Sequence, residues 1–487
     1  MHLLKSFEES NKDTYGDLLS ARRERRKITV GLILFGYFEY WRMFPESLRI
    51  QVEEDLKFVE EKLREKYELI STDVVDTLDA ADISGRILKE NQVDAVVLVM
   101  GTYVPDYITM HALNYVRDVP LLIFSAQHMK TISDESTYMN HARDSCLTGT
   151  AQLTATLKKI GRKHTTVVGS VNDEAAYKKI GRFLNAIQAI VDIKEANIGI
   201  LGNVFRGMYD IELSKTFLKG CFDVNVIYIQ ESHLVESWEN TTEAETKEVA
   251  EQLLKRFKTR TVTEQDILRA CRLAIALEKL VDRYRLDALC LLDQHYLQRL
   301  FRTTSRIGAS LLLEEKNIPV SCEGDLGSIV VAMLMQSLTG KNPMQGGWCG
   351  YDETLNACLI GGHGVADPRM AGGDEKIMLT RTPEVWGMEG VGLNYEFIVK
   401  PGICTIASLL EKQNGYSMMI SKAESIQHNP LNNDELYAFL KVDMPVKEYL
   451  EKIFEFGVTQ HCMLSHDDVQ NELKVVADYF GLETMVL

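Results

Sequence analysis

Continuous apolar runs recur along the chain, and they restrict its possible folds more than any other feature. Residues 28–36 (I-T-V-G-L-I-L-F-G) and 94–101 (D-A-V-V-L-V-M-G) are almost entirely apolar and do not alternate with polar residues. A charged amphipathic segment at residues 45–67 lies between them. A strand without a polar face is buried on both sides, and intervening helices provide the crossovers of a parallel sheet. The pattern therefore predicts α/β layers.

The chain is too long for one core, because its 487 residues exceed the size at which single cores stop growing. A second α/β alternation follows the first, and after about Gly340 glycine-rich, short β-rich runs replace it, which favours antiparallel pairing. The sequence predicts an N-terminal Rossmann-like domain at residues 1–193, a central Rossmann-like domain at 194–340 and a mostly antiparallel, β-rich C-terminal domain at 341–487.

Composition excludes several classes of partner. The formal net charge of −16 argues against nucleic acid and against anionic membrane surfaces. No apolar run reaches the roughly 18 residues that span a bilayer, and residues 1–11 lack the apolar stretch of a signal peptide. The 9 cysteines include no C-x-x-C pair, which indicates reduced thiols. We expect a cytoplasmic protein.

Nucleotide-binding motifs are absent from the sequence. The first predicted strand leads into F-G-Y-F-E-Y-W, where a dinucleotide site would need glycines, and no G-x-x-x-x-G-K-[ST] loop occurs. We therefore expect no NAD, ATP or flavin. The bulky residues that include Phe38 and Glu39 could line a small polar pocket or form a packed aromatic cluster.

Candidate metal ligands concentrate between residues 321 and 363. S-C-E-G-D follows a predicted strand, which places Glu323 at a carboxyl end where ligands bind in α/β sheets. Asp325 is a predicted N-cap of a helix that ends at Gly340. An acidic pair at Asp352 follows, and His363 lies between glycines. Carboxylates and an imidazole suit a divalent ion, although each residue taken alone could be an ordinary loop, cap or turn residue.

A family resemblance adds to these motifs. S-C-E-G-D, Q-G-G with its acidic pair, G-G-H, the predicted hairpin at residues 402–424 and F-G-V-T-Q-H-C-M-L-S-H at 456–466 resemble the metal-binding half of the L-arabinose isomerase and L-fucose isomerase superfamily. The similarity is greatest to arabinose isomerase-like proteins. It is strongest from about residue 319 to 487 and weaker in the earlier part of the chain. It implies an aldose–ketose isomerase acting on a monosaccharide, assembled as a trimer or hexamer whose subunits share active sites.

The resemblance also implies roles for individual residues. Glu323, Asp352, His363 and His461 would bind Mn²⁺ or another divalent ion. Glu323 and Asp352 would be the acid–base pair of a cis-enediol mechanism. Glu353 is the alternative second carboxylate, since a shift of one residue exchanges it with Asp352.

The substrate-recognition half departs from the family pattern. Gln127 in F-S-A-Q matches it, but the family's N-L-N-Q-[TS]-A-H-G segment becomes N-H-A-R-D-S-C-L-T-G from Asn140 onward. We therefore assign substrate binding to Phe38, Glu39, Gln127 and Asn140 and leave the sugar open. A sugar-binding or sensor protein without catalysis, and a metal-dependent hydrolase or aldolase, are the alternative functions.

Overall fold

The computed structural model describes residues 25–45, 47–292, 294, 296–385 and 388–487. They form two compact units, residues 25–191 and residues 192–487. Both contain the alternation of strands and helices that the apolar runs predict.

The first unit contains a five-stranded parallel sheet of order β2-β1-β3-β4-β5. Its central strands are buried on both faces, as continuous apolar runs require. The strands are β1 (Thr29–Phe35), β2 (Glu68–Ser71), β3 (Ala95–Met100), β4 (Leu121–Gln127) and β5 (Thr165–Ser170). The helices are α1 (Phe38–Met43), α2 (Leu48–Arg64), α3 (Leu78–Glu90), α4 (Asp106–Leu113), α5 (Tyr138–Arg143), α6 (Cys146–Lys159) and α7 (Glu174–Ile193).

The second unit begins with a four-stranded parallel sheet of order β10-β9-β6-β7. The strands in this part are β6 (Asn197–Leu201), β7 (Asn225–Ile229), β8 (Lys258–Arg260), β9 (Ala288–Leu291) and β10 (Val320–Cys322). The helices are α8 (Lys215–Phe222), α9 (Glu231–Glu239), α10 (Glu243–Arg256), α11 (Glu264–Tyr284), α12 (Tyr296–Phe301), α13 (Arg306–Glu315) and α14 (Leu326–Thr339). Threonine capping boxes begin α10 and α11, and Asp325 caps α14, which ends at Gly340 as predicted.

An antiparallel sheet follows, in the order β15-β18-β11-β12-β17-β16, and it closes into a barrel because β15 also pairs with β16. The remaining strands are β11 (Met344–Asp352), β12 (Ala357–Gly361), β13 (Met378–Arg381), β14 (Leu393–Glu396), β15 (Gly402–Lys412), β16 (Gly415–Ser425), β17 (Tyr437–Lys441), β18 (His461–His466) and β19 (Glu483–Val486). β19 extends the sheet beside β16, and β14-β13-β8 form a small separate sheet. Helices α15 (Val446–Phe456) and α16 (Gln470–Phe480) complete the chain.

The predicted fold class is confirmed: two parallel α/β layers precede a mostly antiparallel region. One apolar cluster joins helices α11 and α13 to the antiparallel strands, for example Ile307 and Leu311 with Met344 and Leu464. Because these parts share a core, the division at residue 340 stays a prediction.

Two further sequence features can be compared with the structure. The 9 cysteines all lie in the described part of the chain, and no disulfide joins any two of them. Among the described helices, none combines the length and the apolar character needed to cross a membrane.

The shared core makes a stability prediction. Leu464 on β18 is fully buried, so Leu464→Ala should lower the free energy of unfolding by about 2–5 kcal/mol through lost apolar contact and a cavity. Leu254→Ala is the control, because that side chain is 48% exposed. Urea denaturation checks both variants. Equal stabilities would contradict the placement of β18 in the core.

Candidate metal centre

Glu323 lies directly after β10, at the carboxyl end of the parallel sheet, where the sequence places it. Its backbone is left-handed, with φ of 63°. Gly324 follows with φ of 78°, and a Cβ there would lie 2.6 Å from the Cα of Val204. Only glycine fits this close approach. Strained backbone of this kind persists where surrounding structure holds it, often at functional sites.

His461 is the first residue of β18 and is almost completely buried, with 1% exposed. Its Nε2 lies 3.0 Å from Oε2 of Glu323. Its Nδ1 donates to Oδ2 of Asp325 at 2.8 Å. Asp325 also caps helix α14 by accepting from the backbone nitrogen of Ser328. The cap therefore fixes the orientation of the imidazole, as carboxylates behind metal-binding histidines do.

His363 completes a cluster of three donors. It lies two residues beyond β12, and its Nε2 is 3.8 Å from Oε2 of Glu323. One potential ligand atom from each of Glu323, His363 and His461 lies within 4.8 Å of the others. The sheet register explains the cluster, because His461 pairs with Gly347 on β11, and Gly347 also pairs with Gly361 on β12.

Burial and neighbouring charges shift the pKa values of these three side chains in different directions. Burial lowers the pKa of His363 to about 4, helped by the neighbouring His461, so this ring is neutral near pH 7. Burial opposes the charge on His461, but the hydrogen bonds to Asp325 and Glu323 outweigh it and raise its pKa to about 9. Burial also opposes the charge on Glu323, yet the hydrogen bond from His461 and nearby positive charges lower its pKa. A divalent ion at this point would displace the proton between His461 and Glu323, because only the neutral imidazole binds a metal. Two neutral imidazoles and an ionised carboxylate suit a borderline divalent ion such as Mn²⁺.

Asp352 does not join this cluster. It is the last residue of β11, where its Oδ1 accepts from the backbone nitrogens of Thr354 and Leu355 at 2.8 and 2.9 Å. The site adjoins Gly347, and the five residues from there to Asp352 extend roughly 17 Å along a strand. The alternative carboxylate, Glu353, forms an exposed ion pair with Lys447. The spacing of the motif in the sequence does not reveal this distance between Asp352 and the cluster, because an extended strand separates residues that are close in the chain.

A cavity of about 400 Å³ opens onto the three donors. Apolar walls include Phe205, Trp348 and Met388. Cavities of this size and character accommodate small molecules. Several buried polar atoms on its lining form no hydrogen bond with any other described residue: Oε1 of Gln294, Nε1 of Trp348, Nδ1 of His363 and Oε2 of Glu435. Such atoms are costly to leave unpaired, so they favour a polar ligand.

The four predicted substrate-binding residues lie in the first unit. Phe38 and Glu39 are in α1, directly after β1, and the aromatic ring of Phe38 packs edge-on against Tyr37 at 5.2 Å. Gln127 ends β4, where its amide donates to the carbonyl of Met129. The side chain of Asn140 is part of the capping box of α5. Phe38, Glu39 and Gln127 thus occupy carboxyl ends of parallel strands, where ligands bind in such sheets.

The sequence interpretation missed three site residues. Gln294 donates to Oε1 of Glu323 at 2.9 Å, and it follows β9, so the strand-end rule that found Glu323 could have found it. Asp325 was recognised only as a helix cap. Arg306, which lines the cavity, has no local signal, because it begins a helix whose residues are almost all buried.

Two known proteins are similar in sequence to this chain at low identity but over most of their length. A sulfoquinovose isomerase of Priestia megaterium is 20% identical over 408 residues, which cover 82% of this chain and 86% of that protein. A sulfoquinovose isomerase of Alkalicoccus urumqiensis is 21% identical over 344 residues, or 69% of this chain and 75% of that protein. No protein-family model matches the chain.

The cluster makes a prediction about metal content. Glu323→Gln should lose most of the bound divalent ion, because it removes the only carboxylate of the three-donor group. Asp352→Asn should keep the ion, since Asp352 serves the turn after β11. Elemental analysis after loading with Mn²⁺ and gel filtration measures both. Loss of metal from Asp352→Asn with retention in Glu323→Gln would contradict the assignment.

Proposed function

We propose that this protein is a metal-dependent enzyme that interconverts an aldose and a ketose. The single observation that carries the proposal is the group Glu323, His363 and His461 at the base of a cavity large enough for a sugar. The similarity to sulfoquinovose isomerases over most of the chain supports a sugar isomerase.

Glu323, His363 and His461 would hold the ion. A divalent cation bound there would polarise the carbonyl and hydroxyl oxygens of an open-chain sugar. Asp325 keeps the imidazole of His461 in one orientation, and Gln294 does the same for the carboxylate of Glu323. The apolar cavity walls would limit the access of water to the reacting carbons of a bound sugar, which would strengthen electrostatic interactions in the site.

The alternatives are less well supported. A sugar sensor without catalysis does not require two histidines and a carboxylate to converge on one point. A metal-dependent hydrolase or aldolase could use such a group, but the related proteins carry the name of an isomerase.

The reaction can be tested directly. Mn²⁺-loaded protein should convert at least one sugar in a panel of pentoses, 6-deoxyhexoses and sulfoquinovose to its ketose or aldose counterpart, followed by NMR. Removing the ion with EDTA should abolish conversion and adding Mn²⁺ should restore it, because the ion polarises the reacting oxygens. Fully loaded wild-type protein that converts no sugar would argue against the proposal.

We assign substrate choice to the first unit, through Phe38, Glu39, Gln127 and Asn140. In the family that the sequence resembles, neighbouring subunits share active sites. A trimer or hexamer would therefore let these residues act on a neighbouring chain's metal centre, in a protein that we place in the cytoplasm.

Substitution of the proposed substrate-binding residues should change the preference among sugars without abolishing the reaction. Glu39→Ala and Gln127→Ala should alter the ranking of sugars by kcat/KM while keeping activity on some, because polar partners set discrimination among hydroxyl patterns. Glu54→Ala on α2 is an exposed control in the same unit and should leave the ranking unchanged. If neither Glu39→Ala nor Gln127→Ala altered the ranking, the assignment of substrate choice to these residues would be wrong.

A further inference from the structure

A second carboxylate lines the cavity beside the metal centre. Among the described residues that line it, the acidic side chains are Glu323 and Glu435. Glu435 is 7% exposed and lies two residues before the first residue of β17. Neither the motif pattern nor the family resemblance points to it.

The sheet register brings Glu435 and His363 to the same end of two neighbouring strands. β12 and β17 run antiparallel, with Gly361 opposite Tyr437. The pairing continues one residue further, because the backbone nitrogen of Gly362 donates to the carbonyl of Leu436 at 3.0 Å. His363 and Glu435 are the next residues on the two sides of this pair, and both line the cavity.

An ion pair orients this carboxylate. Nη1 of Arg306 donates to Oε1 of Glu435 at 2.6 Å and to Oδ1 of Asn394 at 2.8 Å. Arg306 is in turn held against the loop that carries His363, since a Cβ on Gly364 would lie 2.6 Å from its Nη1. The other oxygen, Oε2 of Glu435, is buried and has no hydrogen-bond partner in the part of the chain that the structure describes. One oxygen is thus fixed and the other is available to a ligand in the cavity.

We propose that Glu435 contacts the substrate beside the metal centre and is the acid–base carboxylate that moves the proton between C2 and C1, a role that the family resemblance assigns to Glu323 and Asp352. The inference rests on the proposed isomerase function. It follows from geometry, because Glu435 lines the cavity and Asp352 lies at the far end of β11.

The proposed step moves two protons and requires no oxidant. Oε2 of Glu435 removes the proton from C2 of the aldose. The electrons of that C–H bond form the C1–C2 double bond, and the electrons of the C1–O1 double bond accept a proton from water at O1. Glu435 then delivers its proton to C1, while O2 returns a proton to water and becomes the ketose carbonyl. Glu323 would hold the ion and thereby keep the reacting end in place.

The test compares Glu435→Gln with Asp434→Asn, a neighbouring carboxylate that pairs with Arg260 and does not line the cavity. Glu435→Gln should lower turnover by at least ~10²-fold, as expected for loss of an acid–base group. It should also stop incorporation of solvent deuterium into the sugar and keep the wild-type metal content. Asp434→Asn should keep turnover, deuterium incorporation and metal.

Four other results would overturn the proposal or separate it from the isomerase function. Wild-type turnover in Glu435→Gln would overturn it, as would metal loss matching that of Glu323→Gln. Failure of the wild-type protein to convert any sugar would instead remove the isomerase function itself. If Glu435→Gln does not fold, Glu435→Asp keeps the charge but withdraws the oxygen, and it should fold, bind metal and lose turnover. Full activity of that variant, with Asp352→Asn inactive, would return the role to Asp352.

Discussion

The arrangement of the site depends on the buried interaction of Glu323 with His461, which Asp325 supports from behind. The same Asp325 carboxylate caps the N-terminus of α14 and orients the imidazole of His461 on β18. A parallel sheet, a helix and an antiparallel barrel therefore meet at one hydrogen-bonded group. Breaking such a buried group by removing one partner leaves an uncompensated charge, so the three elements hold their positions together.

The antiparallel barrel contributes by register more than by sequence proximity. β18, β11 and β12 align His461, Gly347 and Gly361 in one row across the sheet. Glycine at position 347 leaves open space on the side of the cluster, since a Cβ there would lie 3.8 Å from Cε1 of His363. The row continues to Tyr437 on β17, and Glu435 precedes Tyr437 by two residues.

Much of the fold follows from local pattern. Apolar runs such as β3 predict buried parallel strands, and Asp325 and Gly340 predict the ends of α14. Glu323 was also predictable, because a carboxyl strand end in an α/β sheet is a ligand site. The second carboxylate of the cavity, Glu435, was not predictable from the sequence. A motif gives only the order of residues along the chain. A strand rises about 3.3 Å per residue, so Asp352, at the end of β11, lies far from the site even though the motif places it near the other candidate ligands.

By itself the sequence determined the class of fold, the helix ends and three donors of the candidate metal centre: Glu323, His363 and His461. Only the tertiary structure decided which other polar groups share the cavity. Arg306 and Glu435 are 129 residues apart in the chain, yet they form a buried ion pair. Long-range pairing of this kind depends on strand register and on the direction of each side chain, and neither is encoded in the local pattern of polar and apolar residues.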